Sequence, residues 1–251
     1  MMTDIDEAVD WQGNQVDCRA CAHQAVLAAG RCRLKHACVH DRYARRIDRF
    51  FNWNANLAND YLRHSHFEVR AIAAKYADVF QLPALLKDSE ETVRWNAARR
   101  LPKRLILGLR NDPHREVRIR IAHLLDGAEL QPMIIDSDYY VRLVVARRVA
   151  PALLLRLVND PETEVRRVVA QRIPGEWLHR MLADPEPAVR LEIARRLPAP
   201  QLHLMRCDLD WRVRYEIASR IDAAQICELA EDVDELVREM AQSRLPRERC
   251  A

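Results

Sequence analysis

The dipeptide Val-Arg recurs at Val69-Arg70, Val93-Arg94, Val117-Arg118, Val141-Arg142, Val165-Arg166, Val189-Arg190, Val213-Arg214 and Val237-Arg238, every step being 24 residues. A fixed period of this kind is the mark of a repeat architecture, in which one supersecondary unit cannot bury its apolar face and neighbours stack to do so. Five residues after each of the first seven valines stands an alanine (Ala74, Ala98, Ala122, Ala146, Ala170, Ala194, Ala218), and eight residues after comes an apolar side chain, often followed by proline. Each of the first seven units closes on an aspartate: Asp88, Asp112, Asp136, Asp160, Asp184, Asp208 and Asp232.

One unit is readable from elementary rules. On a helical wheel the Val and the positions four, five and eight beyond it share one arc, the apolar stripe of an amphipathic helix. Asp112-Pro113, Asp160-Pro161 and Asp184-Pro185 have the chemistry of an N-cap followed by a first helical proline. The remaining stretch before the next Asp has room for a turn or two and carries a second apolar pair, such as Leu154 and Leu157, so a short α or 3₁₀ piece is expected there. His64 in place of the first Asp and Gln242 in place of the last Ala read as end-cap departures. The sum is an all-α chain, a solenoid of about eight helical repeats.

The constant arginine falls about 100° from the Val, inside the apolar arc. A charge there needs a partner, because an unpaired buried charge is prohibitive. The expected result is a ladder that pairs Arg70, Arg94, Arg118, Arg142, Arg166, Arg190, Arg214 and Arg238 with the aspartates of the same or the adjacent unit. The chain has thirty-six arginines against four lysines, but 37 acidic residues are interspersed with them. Arginine is therefore read as structural ion-pair material and not as a patch for nucleic acid. Arg99-Arg100, Arg147-Arg148 and Arg195-Arg196 straddle the polar edge and read as a solvated face.

Ahead of the repeats, Cys18, Cys21, Cys32 and Cys38 form a C-x2-C-x10-C-x5-C array. Four clustered thiols suit structural zinc or a [4Fe–4S] cluster, each of which takes four thiolates. His23, His36 and His40 stand close enough in sequence to substitute as ligands. Residues 18–49 hold eight bases and two acids, a balance that suits the negative charge of either centre and does not choose between them. Cys207, Cys227 and Cys250 are scattered and read as ordinary thiols. Residues 1–16 are expected to be a flexible lead, 17–50 the metal module and 51–251 the repeat array.

No stretch approaches the apolar length of a membrane helix, and the acidic Met1–Asp10 lacks the order of a signal peptide. A cytoplasmic location is expected, which favours metal ligands or free thiols over disulfides. No Gly-rich phosphate loop, nucleophile elbow or H-E-x-x-H motif is present, so no catalytic residue is nominated and an enzyme is not expected.

The 24-residue unit, with its D-P-x-x-x-V-R-x-x-x-A-x-R-L-P run at residues 184–198, together with the preceding cysteine module, resembles the leucine-rich repeat variant family. The resemblance covers residues 18–251. It implies α-helices alternating with 3₁₀-helices, a right-handed superhelix without strands, and a small N-terminal domain in which Cys18, Cys21, Cys32 and Cys38 hold a [4Fe–4S] cluster, zinc being the alternative. The function expected from this architecture is a scaffold that binds a protein partner; an electron carrier that docks to a redox enzyme is the second expectation.

Overall fold

Why a 24-residue unit needs two kinds of helix follows from the spacing of its apolar side chains. The computed structural model describes residues 7–245. The helices are α1 (Gln24–Ala28), α2 (Ala44–Trp53), α3 (Phe67–Tyr76), α4 (Glu91–Ala98), α5 (Lys103–Ile106), α6 (Arg115–Leu124), α7 (Gly127–Leu130), α8 (Tyr139–Arg148), α9 (Thr163–Arg172), α10 (Pro187–Arg196), α11 (Trp211–Arg220) and α12 (Glu235–Arg244). From α3 onward the long helices each carry one Val-Arg pair. In α8, for example, Val141, Val145 and Ala146 are fully buried, as is Val149 just past its end. Burying each such Val is worth about 1.5–3 kcal/mol relative to leaving it exposed.

The second half of each unit is 3₁₀, as in Val79–Lys87, Pro151–Leu157, Gly175–Met181 and Ala199–Met205. Its apolar residues come in pairs three apart: Leu82 and Leu85, Leu154 and Leu157, Leu178 and Met181, Leu202 and Met205, all buried. At three residues per turn such a pair is eclipsed on one side, which an α-helix would not give. Two units open this half with a short α turn, α5 and α7, before Leu107–Asn111 and Gln131–Ile135 continue as 3₁₀. Among the described residues there is no β-strand, only the isolated bridges Val9–Gln15 and Arg33–Ala37.

The Asp-Pro reading of the helix starts needs correction. Helices α6, α9 and α10 begin at Arg115, Thr163 and Pro187, beyond Pro113, Pro161 and Pro185. The aspartate lies outside the helix and its Oδ1 accepts the N–H of the N-cap residue itself. This bond recurs at 2.8–3.0 Å from Glu90, His114, Asp138, Glu162, Glu186, Asp210 and Asp234. The carboxylate is turned away from the first helical turn because an arginine holds it, as described below.

The chain divides into two compact units, residues 1–125 and 126–251. The boundaries placed in the sequence at 16/17 and 50/51 are not breaks in packing. Residues 8–16 are tied down: Ala8 and Val9 are buried, Val16 N–H donates to the Ala8 carbonyl at 2.9 Å and Arg42 N–H to the Val9 carbonyl at 3.0 Å. Across the second boundary the His23 and Tyr61 rings pack at 5.8 Å, and Lys75 pairs with Asp48 at 3.0 Å. The first unit thus contains the cysteine module together with the first repeats; residues 1–6 lie outside the described ones. No helix is long and apolar enough to cross a membrane among the described residues.

Candidate metal centre

Short irregular segments, each pinned by a specific bond, carry the four cysteines. Asp10 accepts the N–H groups of Gln12 and Asn14 at 2.9 and 2.8 Å, and Gly13 at φ 90° closes that loop. Cys18 and Cys21 sit on the following turn, with Cys21 N–H reaching the Cys18 carbonyl at 3.4 Å. Helix α1 then ends at Gly30, whose φ of 70° lets Arg31 N–H return to the Val26 carbonyl at 3.0 Å, a left-handed helix stop. This delivers Cys32 to the centre. The 33–37 hairpin, with Lys35 at φ 61°, turns the chain back to Cys38. Helix α2 is the platform: Asn54 holds the Arg31 carbonyl at 2.8 Å, and buried Arg46 pairs with buried Asp41 at 2.9 Å.

These devices bring the four thiols into one neighbourhood. Cys32 and Cys38 are buried, Cys18 and Cys21 half-buried. The Cys32 thiol is held below its ordinary range, first by its hydrogen bond with Cys38. Cys38 is pushed up by that same bond and by burial. Burial raises Cys18, and the charges of Cys38, Cys21 and Asp17 add to it. Three of the sulfurs also receive backbone N–H groups: Cys21 from His23 at 3.4 Å, Cys32 from Arg33 and Cys38 from His40. Such donors stabilise thiolates and, in thiolate-bound clusters, help to set the potential. Among the described residues no three His, Cys, Asp or Glu side chains converge at single-ion distance.

The neighbouring histidines have other partners. His23 hydrogen-bonds the Tyr61 hydroxyl and packs on Phe50 at 5.3 Å. His36 lies 2.8 Å from the Arg49 guanidinium and beside the Trp53 ring. His40 stacks on His23 and lines a cleft of about 340 Å³ with Trp11, Cys21 and His64. Burial holds His23, His40 and His64 below the ordinary imidazole value. Tyr61 is pushed up to about 12, by burial first and then by the thiols Cys21, Cys38 and Cys32 and the carboxylate of Asp60. Cys207 and Cys227 are exposed in the second unit, and Cys250 lies outside the described residues.

A solved structure described as a leucine-rich repeat variant with a novel repetitive protein structural motif superposes with a TM-score of 0.85. The two are 40% identical, and the match covers 92% of this chain and 99% of that one. The chain belongs to the leucine-rich repeat variant family. A family model described as the LRV protein FeS4 cluster matches residues 8–60, so the N-terminal module of this leucine-rich repeat variant is of the iron–sulfur type. That match begins where Ala8 and Val9 dock and not at the first cysteine. An uncharacterized 27.7 kDa protein in the nifB 3' region of Rhodobacter capsulatus is 46% identical over 101 residues. The shared segment is 40% of this chain and 41% of that relative's length.

In the repeats of this variant the Val-Arg arginines meet the aspartates eighteen residues on. Arg70 forks to Asp88 and Arg94 to Asp112 in the first unit; Arg142, Arg166, Arg190 and Arg214 fork to Asp160, Asp184, Asp208 and Asp232 in the second. All of these contacts span 2.7–3.1 Å. Each guanidinium also reaches back six residues to a backbone carbonyl at 2.6–2.9 Å, from Arg70 to His64 through Arg238 to Asp232. Arg118 makes this backward contact to Asp112 in the first unit, and Asp136 accepts the Asp138 N–H in the second.

A second set of arginines departs from the solvated reading. Arg100 donates to the Ala74 and Ala77 carbonyls at 2.8 and 2.6 Å. Arg196 does the same to Ala170 and Ile173, at 2.6 Å each. Arg172, Arg220 and Arg244 repeat the pattern. They satisfy the orphan carbonyls at the end of the preceding repeat's helix. Their signal, an Arg seven residues after Val, was present at this same 24-residue period. Their neighbours Arg99, Arg147 and Arg195 are exposed.

Proposed function

We propose that Cys18, Cys21, Cys32 and Cys38 hold a [4Fe–4S] cluster, and that the repeats form a non-enzymatic scaffold for a protein partner. The observation that carries the reading is the gathering of four thiols, three with backbone N–H donors, inside a module of the iron–sulfur type. The donor set fits the group. A four-iron cluster takes one thiolate per iron, so its ligands need not meet at a single point, whereas zinc draws all four to about 2.3 Å of one ion. When bound, such a cluster supplies one-electron chemistry. The chain's own part is to stabilise the thiolates through the His23, Arg33 and His40 N–H groups and to bury Cys32 and Cys38. Extended surfaces on stacked repeats are used for binding, which supports the scaffold role.

An electron carrier is the second reading, favoured by the half-buried Cys18 and Cys21, which keep one side of the centre near solvent. The deciding experiment is anaerobic purification followed by absorption spectroscopy and iron, sulfide and zinc analysis. A broad band near about 400 nm with about four irons per chain is expected. A colourless protein with about one zinc overturns the cluster assignment. Reversible potentiometric reduction separates the two roles, since a cluster that decays on reduction serves structure only.

A further inference from the structure

Around the first cysteines the charge is one-sided. From Cys18 to His40 there are four bases and no acid. Three of them, Arg31, Arg33 and Lys35, flank Cys32; all are exposed, and none makes an ion pair among the described residues. Their backbone is nonetheless rigidly placed. Arg33 and Ala37 exchange both hairpin hydrogen bonds at 2.9 and 2.8 Å, Asn54 anchors the Arg31 carbonyl at 2.8 Å, and Arg49 holds the His36 carbonyl at 2.9 Å. Leu34 on the same hairpin and Trp53 beside His36 are each 37% exposed. Arg33 follows Cys32 directly, so the hairpin starts at a candidate ligand.

We propose that this edge, with Arg31, Arg33, Leu34 and Lys35 on and beside the hairpin and Trp53 next to His36, is the docking surface for a small acidic electron-carrier protein. The purpose of the docking rests on the iron–sulfur reading above; the binding itself does not. Cations needed only to offset a cluster's charge would act best when buried, as Arg46 is, because side chains in water are screened. Exposed apolar side chains interspersed with charge of one sign have the composition of a protein interface, and electron-transfer encounters are among the smallest of these. A nucleic acid would call for a longer basic track, since stable binding neutralises many phosphates.

The test uses the full chain with its native centre and, as probe, a plant-type ferredoxin of strongly acidic composition carrying gallium in place of iron. Binding is followed by NMR titration at low and at physiological ionic strength. The wild type is expected to bind and to weaken as salt rises. The triple variant R31E/R33E/K35E is expected to bind at least about tenfold more weakly at low salt, with its absorption and helical circular dichroism retained. The control K87E/R99E/R104E makes the same net charge change at exposed sites among the repeats and is expected to bind nearly as the wild type. Should the triple variant fold poorly, R33Q and L34A report on the same edge. The proposal is overturned if the wild type does not bind, if both triple variants weaken equally, or if duplex DNA displaces the ferredoxin at comparable concentration. Absence of iron from the purified chain would sink the cluster assignment while leaving this titration readable.

Discussion

Replacing Arg166 by Ala removes one rung of the ladder, and its effect can be sized from its contacts. Arg166 gives Asp184 two bonds, at 2.8 and 3.1 Å, and the Asp160 carbonyl one at 2.9 Å. Both partners are 8% exposed. Removing one member of a buried pair costs about 3–5 kcal/mol because the other charge is stranded. Asp184 keeps its bond from the Glu186 N–H and some access to water, which puts the value near the lower end, about 3 kcal/mol. For a chain of this size that corresponds to a fall of about 6–12 °C in Tm. The double variant R166M/D184N leaves no charge behind and keeps the acceptor for Glu186, so it should cost less, about 1–2 kcal/mol. Urea denaturation followed by circular dichroism gives the totals. Hydrogen exchange across Thr163–Arg172 shows whether the loss is local, as it must be if repeats depend on their neighbours. A loss below about 0.5 kcal/mol for R166A, the range of surface substitutions, would refute the buried-rung argument. So would a double variant that costs the sum of the singles.

Adjacent arginines should differ: Arg196→Ala uncovers the Ala170 and Ile173 carbonyls and is expected to cost about 1.5–3 kcal/mol. Arg195→Ala, exposed and paired only at the surface, should stay within about 0.5 kcal/mol by the same denaturation assay. Cys21→Ser should abolish the absorption of the metal centre yet leave the exchange protection of α8 to α12 near the parent's; loss of protection there would contradict a nearest-neighbour stack. Acid should open the ladder. Burial acts to raise Asp88, but Arg70, the Glu90 N–H and Arg94 outweigh it, while Arg214 holds Asp232 down and Arg212 brings Asp210 to about 2. Depressed carboxyls contribute stability that is complete above the unfolded value of about 3.9 and is lost as pH falls through the folded values. Helical signal should therefore hold at pH 5 to 7 and decay below about pH 4, less steeply in Asp232→Asn; an unchanged profile in that variant would dismiss the carboxylate.

The period was the most legible feature because it is written in side chains that must all face inward at once. Val, Ala and the paired apolar residues three apart specify α and then 3₁₀ without reference to any distant contact. The angle of Arg166 on its wheel is enough to place it inward, while the choice between same-unit and adjacent aspartates is made by how the repeats pack. Arg196, seven residues after Val189, lies only about 20° from that Val at the rim of the apolar arc, so the wheel leaves room for an inward contact without naming its partner. Only the stacking of the preceding helix brings carbonyls within its reach. Residues 8–16 carry no periodicity, so their docking through one bridge and the Asp10 loop left no trace that spacing could reveal. Nor could spacing show which backbone N–H groups face Cys21, Cys32 and Cys38, since these depend on the turn at Cys18, the stop at Gly30 and the hairpin at Lys35.

The constancy of the 24-residue step has a physical cause in the same side chain. Arg166 touches the carbonyl of Asp160 and the carboxylate of Asp184, so one guanidinium spans the two ends of a unit. Asp184 in turn accepts the N–H of Glu186, which starts α10, and offers its carbonyl to Arg190. Each aspartate therefore closes one unit and opens the next, and a unit one residue longer cannot satisfy both ends. Inserting a single Gly after Arg180 should cost at least as much as Arg166→Ala, about 3 kcal/mol, through the same stranded carboxylate. Deleting residues 161–184 joins Asp160 to Pro185, so Asp160 can still accept from Arg142 and offer its carbonyl to Arg190. That chain, shorter by a whole repeat, should fold with one array of intact pairs and lose only the stability of one unit and one interface. Denaturation of the two variants side by side decides it. An insertion tolerated better than the deletion would mean that packing of the apolar stripes sets the period, and not the arginine.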